Sequence, residues 1–128
     1  MIKLLLVGAG GASGAIARYL AGLAYMRLFG PSRPYLATAF INVTGGLLMG
    51  LLVGLLALKV AEGGERWRLL LGVGVLGGYT TFSTFSLEAV MLMERREYGA
   101  MSAYVIGSVL LSILALMFGL FLARRVFA

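Results

Sequence analysis

Residues 77–88 read GGYTTFSTFSLE, from Gly77 to Glu88, set between LLLGVGVL before and AVMLM after. Two glycines, a tyrosine, five serine or threonine hydroxyls and a glutamate interrupt what is otherwise a hydrocarbon run. The whole stretch from Trp67 to Met93 is 27 residues, about 40 Å long as a single helix. A bilayer core is only about 30 Å thick. Tilt could absorb the excess, and so could a break. Gly77-Gly78 is weak helix, and clustered hydroxyls can satisfy the backbone groups that a break sets free. Non-helical backbone at depth is tolerated only when buried in protein or lining a cavity, and such breaks place carbonyls and amides where ions bind. The expectation is a third span broken near mid-membrane; the alternative is an intact helix with a polar packing face.

The rest of the chain supports the membrane setting. Of 128 residues, 61% are hydrophobic and 12% charged, against about 45–50% and about 25% in soluble domains. Four apolar runs, roughly 2–26, 35–58, 67–93 and 100–123, are each long enough to span. The connectors RLFGPSRP, KVAEGGER and ERREYG are too short for a soluble domain. The reading is all-α, a single four-span membrane domain over 1–128. The start, MIKLLLVGAGGASGA, has the lysine, apolar run and small residues of a signal peptide. Its apolar segment continues past Arg18 to Met26, so it reads as the first span. No cysteine or histidine is present, which removes disulfides, thiol chemistry and groups titrating near neutrality.

Net charge is +6, but the basic residues sit at span ends, as membrane anchors do, and do not indicate nucleic acid. One side carries Lys3, Lys59, Arg66, Arg68, Arg124 and Arg125; the other carries Arg27, Arg33, Arg95 and Arg96, with Arg18 deeper on the same half. So even a tally sets no firm orientation, and a population inserted both ways could pair antiparallel.

The segment IKLLLVGAGGASG imitates a dinucleotide loop, but Ser13 stands where the third glycine belongs and the first acid is Glu62. Packing explains the glycines better. Gly10, Gly14, Arg18 and Gly22 recur every four residues, as do Asn42, Gly46, Gly50 and Gly54. Small residues at this spacing let helices approach closely in lipid. Four thin helices enclose little aqueous space, which favours a homodimer.

Polar groups at depth need a partner or a role. Asn42, with Thr38 one turn before it, reads either as an interhelical hydrogen bond or as a donor facing a pore. Tyr104, Ser108 and Ser112 form an i, i+4, i+8 stripe. Phe82 and Phe85 share a face, either packing in a core or offering positive ring edges to an anion. Glu88 reads as a rim salt bridge or a cap. Lacking a deep ionisable relay of the kind pumps use, the chain points to passive anion permeation.

Taken together, GGYTTFSTFSLE, FINVTGG in the second span and GGASGAIARY in the first resemble the small fluoride channel family, often called Fluc or CrcB. The resemblance covers essentially the whole chain. It implies an antiparallel dual-topology homodimer, not an enzyme, in the plasma (inner) membrane of a microbe, with fluoride, lipid and a second copy as partners and no nucleic acid. Fluoride would leave passively and electrogenically through two pores, relieving toxicity. By motif, Phe82 and Phe85 resemble the phenylalanines lining the fluoride path, Asn42 the donor beside it, and Ser83, Thr84, Tyr104, Ser108 and Ser112 its hydroxyl lining. Arg18 resembles a vestibule arginine. The backbone carbonyls of Gly77 and Thr80 resemble those holding a structural sodium ion at the dimer centre. Tyr79 departs from the simple aliphatic expected after the glycine pair. Donors without full charge suit such a path, because a strongly hydrated ion must be both bound and released.

Two other readings are distinguishable. A small multidrug-type proton-coupled exporter needs a buried carboxylate in its first span, where this chain has only Arg18. A non-transporting packing subunit would carry no ion flux.

Overall fold

The computed structural model describes residues 1–58 and 64–127. Lys59 and Glu62 lie outside the described residues. The chain runs α1 (Ile2–Phe29), α2 (Tyr35–Leu58), α3 (Gly64–Trp67), a π-type segment (Arg68–Leu76), α4 (Gly77–Tyr79), α5 (Phe82–Glu94) and α6 (Tyr98–Phe127). Among the described residues, four helical stretches are long and apolar enough to cross a membrane; the third is Gly64–Glu94. No strand occurs among the described residues.

α1 and α6 run past the apolar limits at 26 and 123. Arg27 occupies the last turn of α1, and Arg124 and Arg125 that of α6, where cations complement the helix dipole. Gly30, at φ 86°, ends α1. α5 ends in a Schellman turn: Glu97 N–H donates to the Leu92 carbonyl at 3.0 Å and Arg96 N–H to Met93 at 2.9 Å, with Arg96 at φ 60°.

α2 lies along α6, and α1 along the π segment and α4. Glycines make both approaches possible. A Cβ on Gly10 or Gly14 would strike the Leu70 or Val75 carbonyl, and one on Gly50 the Leu116 carbonyl. Gly22 faces only Ile41 Cδ1, 3.9 Å from where its Cβ would lie, so the first glycine stripe packs along part of its length. Across the Gly77 pair the backbone stays helical (Gly77 φ −63°, ψ −38°). The extended residues are Thr80 (φ −78°, ψ 156°) and Thr81 (φ −148°, ψ 117°). They form a two-residue link between α4 and α5.

Candidate functional site

The link owes its shape to side chains that replace helical bonds. Thr80 N–H and Thr80 Oγ1 both donate to the Leu76 carbonyl, at 3.0 and 2.9 Å. Thr81 caps α5, its hydroxyl accepting from Thr84 N–H at 3.2 Å, the role that makes threonine a good N-cap. The same hydroxyl donates to Thr84 Oγ1 at 3.0 Å. Thr81 N–H turns away from the Gly77 carbonyl, its partner in an unbroken helix, and donates to Asn42 Oδ1 at 2.8 Å. Asn42 Nδ2 returns a bond to the Thr81 carbonyl at 3.0 Å. Asn42 is thus an interhelical bridge, with its second amide hydrogen left over.

Beside this bridge, α2, the link, α5 and α6 enclose an open groove of about 420 Å³. Asn42, Thr80, Thr81, Phe82, Phe85, Ser108 and Ser112 line it, together with Gly45, Gly46 and aliphatic side chains. None of its lining residues carries a formal charge. The Phe82 and Phe85 rings lie 5.5 Å apart and tilted by 40°. Phe85 is buried, whereas Phe82 is 78% exposed in the single chain. Ser108 is buried and its hydroxyl has no hydrogen-bond partner among the described residues, an arrangement that costs about 1–3 kcal/mol unless a ligand or water completes it. A groove with one spare amide hydrogen, an unengaged hydroxyl and two aromatic rings suits a small hydrogen-bond acceptor held without a countercharge.

Not every residue singled out from the sequence lies there. Ser83 and Thr84 are exposed at the start of α5. Tyr104 sits behind the groove, its ring 5.3 Å from Phe85 and 5.2 Å from Tyr35. Arg18 is half-buried on α1, away from the groove, and forms no ion pair among the described residues. Gly77 lies on α4 outside the groove lining.

Glu88 corrects the sequence reading. It makes no rim salt bridge among the described residues. It accepts from Tyr104 Oη at 2.6 Å and from Thr38 Oγ1 at 2.9 Å, tying α2, α5 and α6 together behind Phe85. It also borders a second cavity of about 180 Å³ with Arg33, Arg95 and Glu97. The i+4 relation of Thr38 to Asn42 was the available signal: a second polar residue on the face of α2 that meets α5.

Comparison with known proteins agrees along the whole chain. A family model described as CrcB-like protein, Camphor Resistance (CrcB), matches residues 5–120. The chain is 59% identical over 128 residues to a protein of Phenylobacterium zucineum (strain HLK1) named Fluoride-specific ion channel FluC, with all of both chains covered. A protein of the same name from Caulobacter sp. (strain K31) is 55% identical over 128 residues, covering all of this chain and 99% of that one. Another from Rhizobium meliloti (strain 1021) is 48% identical over 124 residues, covering 97% and 98%.

Proposed function

The chain belongs to the CrcB family, and on that footing we propose that it is a fluoride-selective channel giving passive, electrogenic efflux across the inner membrane of a microbe. The observation that carries this reading is the uncharged groove in which the unpartnered Ser108 hydroxyl meets Ser112, Asn42 and the two phenylalanine rings. Fluoride exchanges its water for such donors and ring edges, which bind weakly enough to release it. Phe82, Phe85, Asn42, Ser108 and Ser112 line the proposed path, with Ser83 and Thr84 extending its hydroxyls and Tyr104 backing Phe85 from behind. Arg18 gathers anions at a vestibule.

The working unit is an antiparallel homodimer. Its support is the polar surface of the single chain: Ser83 and Thr84 are exposed beside Phe82 in the middle of the third span, where polar side chains facing lipid are unfavourable. The third span is broken near mid-membrane at Thr80 and Thr81. Carbonyls at the end of its first half favour a cation, and amides at the start of its second half favour an anion. A structural sodium ion fits the first of these: Thr81 N–H is committed to Asn42, so the Gly77 carbonyl has lost its helical donor, and carbonyl oxygens suit a hard cation. Gly77 and Thr80 would hold it, and the ion would neutralise oxygens gathered at the dimer centre.

Fluoride release from liposomes holding only the purified protein tests the reading. An electrode should record release that requires a potassium ionophore to shunt the voltage. Replacing Phe85 with isoleucine should lower the rate about tenfold or more if ring edges stabilise the ion by about 1–2 kcal/mol. Release without the ionophore would indicate a coupled exchanger, and no release from folded protein would overturn the assignment.

A further inference from the structure

We propose that Tyr79 is a positioning residue for the ion path, acting through Thr44 to hold the Thr80–Thr81 link extended; only its flux readout rests on the fluoride reading above.

α2 meets the link at three neighbouring points. Asn42 bonds both sides of the Thr81 peptide, at 3.0 and 2.8 Å. Thr44 Oγ1 lies 2.9 Å from the Tyr79 hydroxyl. Gly45 leaves the room both need: a Cβ there would strike Thr80 Cγ2 and come within 3.3 Å of Tyr79 Cδ1.

The direction of the Thr44–Tyr79 bond follows from proton counting. A threonine hydroxyl has one hydrogen. Thr44 Oγ1 also lies 2.8 Å from the Phe40 carbonyl and 3.0 Å from the Ile41 carbonyl, which can only accept. With that hydrogen on its own helix, Thr44 accepts from the Tyr79 phenol, and both hydroxyl hydrogens are used; the reverse direction would leave the phenol hydrogen idle.

The consequence is mechanical. Tyr79 is the last residue of α4, and Phe82 the first of α5. Asn42 anchors the link on its α5 side and Tyr79 on its α4 side, both to one rigid helix. The two anchors together fix the angle between the half-helices and so the position of the Phe82 ring. Phenylalanine at 79 would fill the same space against Gly45 without the phenol, and Thr44 would keep its backbone partner. Tyr79→Phe thus removes one bond without stranding the other group.

The test compares Tyr79→Phe, Thr44→Val, their double variant and Thr44→Ser, all confirmed as folded by elution size. Amide hydrogen exchange over Thr80–Phe82 is read alongside fluoride release from liposomes. Each of Tyr79→Phe and Thr44→Val should speed exchange and slow release about three- to tenfold, the span one net hydrogen bond supplies. The double variant should be no worse than either single, because both remove the same bond. Thr44→Ser, which keeps the hydroxyl, should behave like the parent. Unchanged exchange in Tyr79→Phe, additive losses in the double variant, or a Thr44→Ser loss equal to that of Thr44→Val would overturn the proposal. Faster exchange with unchanged release would make the contact structural alone and overturn its role in the path. If the parent releases no fluoride, the channel reading fails, and exchange still decides whether Tyr79 holds the link.

Discussion

At Asn42 two demands fall on one side chain. Its amide closes a reciprocal pair with the Thr81 peptide, and it borders the uncharged groove. Aspartate would keep the acceptor for Thr81 N–H, strip the donor from the Thr81 carbonyl and add the groove's first formal charge. An orphaned buried acceptor costs about 1–3 kcal/mol, and repulsion of an anion comes on top. Asn42→Asp should therefore slow fluoride release by well over about tenfold in liposomes made from protein of unchanged elution size. Release equal to that of the parent would remove Asn42 from the path. The residue type and its depth were legible in FINVTGG. Its partner was not, because Thr81 lies 39 residues away and only packing brings the two together. Glu88 was misread for the same reason: its donors Thr38 and Tyr104 stand 50 and 16 residues off.

Among the elements, glycine separates contacts that tolerate nothing from those that tolerate anything. A Cβ on Gly14 meets the Val75 backbone, which cannot rotate aside, while Gly8 and Gly107 have nothing within 4 Å. Gly14→Ala should part α1 from the π segment at about 1–3 kcal/mol of overpacking, seen as loss of folded protein after mild heating. Gly8→Ala and Gly107→Ala should survive the same heating like the parent; equal sensitivity in all three would refute this packing. The four spans were readable because apolar runs of that length occur for few other reasons. Their ends were not, since hydropathy reports the thickness of hydrocarbon while α1 and α6 continue as helix through Arg27 and Arg125. Nor does i→i+5 bonding leave a compositional trace, so the winding of Arg68–Leu76 was invisible.

For the molecule as a whole, the basic residues divide six to five between the two sides read from the sequence, and the chain has no cysteine. That makes orientation directly measurable. A single cysteine replacing exposed Ser32 should react with a membrane-impermeant thiol reagent from both faces of intact vesicles, in comparable amounts. Labelling from one face alone would exclude antiparallel pairing. A nearly even tally of basic residues commits the chain to neither orientation, whereas a strong basic bias would commit every copy to one.

The wide winding of Arg68–Leu76 has a consequence for how the chain tolerates changes of length. A π turn accommodates an added residue that an α-helix would have to pass on as rotation. A one-residue deletion inside this segment can be taken up by tightening to i→i+4 bonds, which keeps Phe82 at the groove although it shifts the Leu70 and Val75 carbonyls that Gly10 and Gly14 abut. The same deletion in α5 would swing every later side chain by about 100°, carrying Glu88 off both of its donors. Slack is stored on the side of the link where α1 packs, and none where the polar side chains must meet.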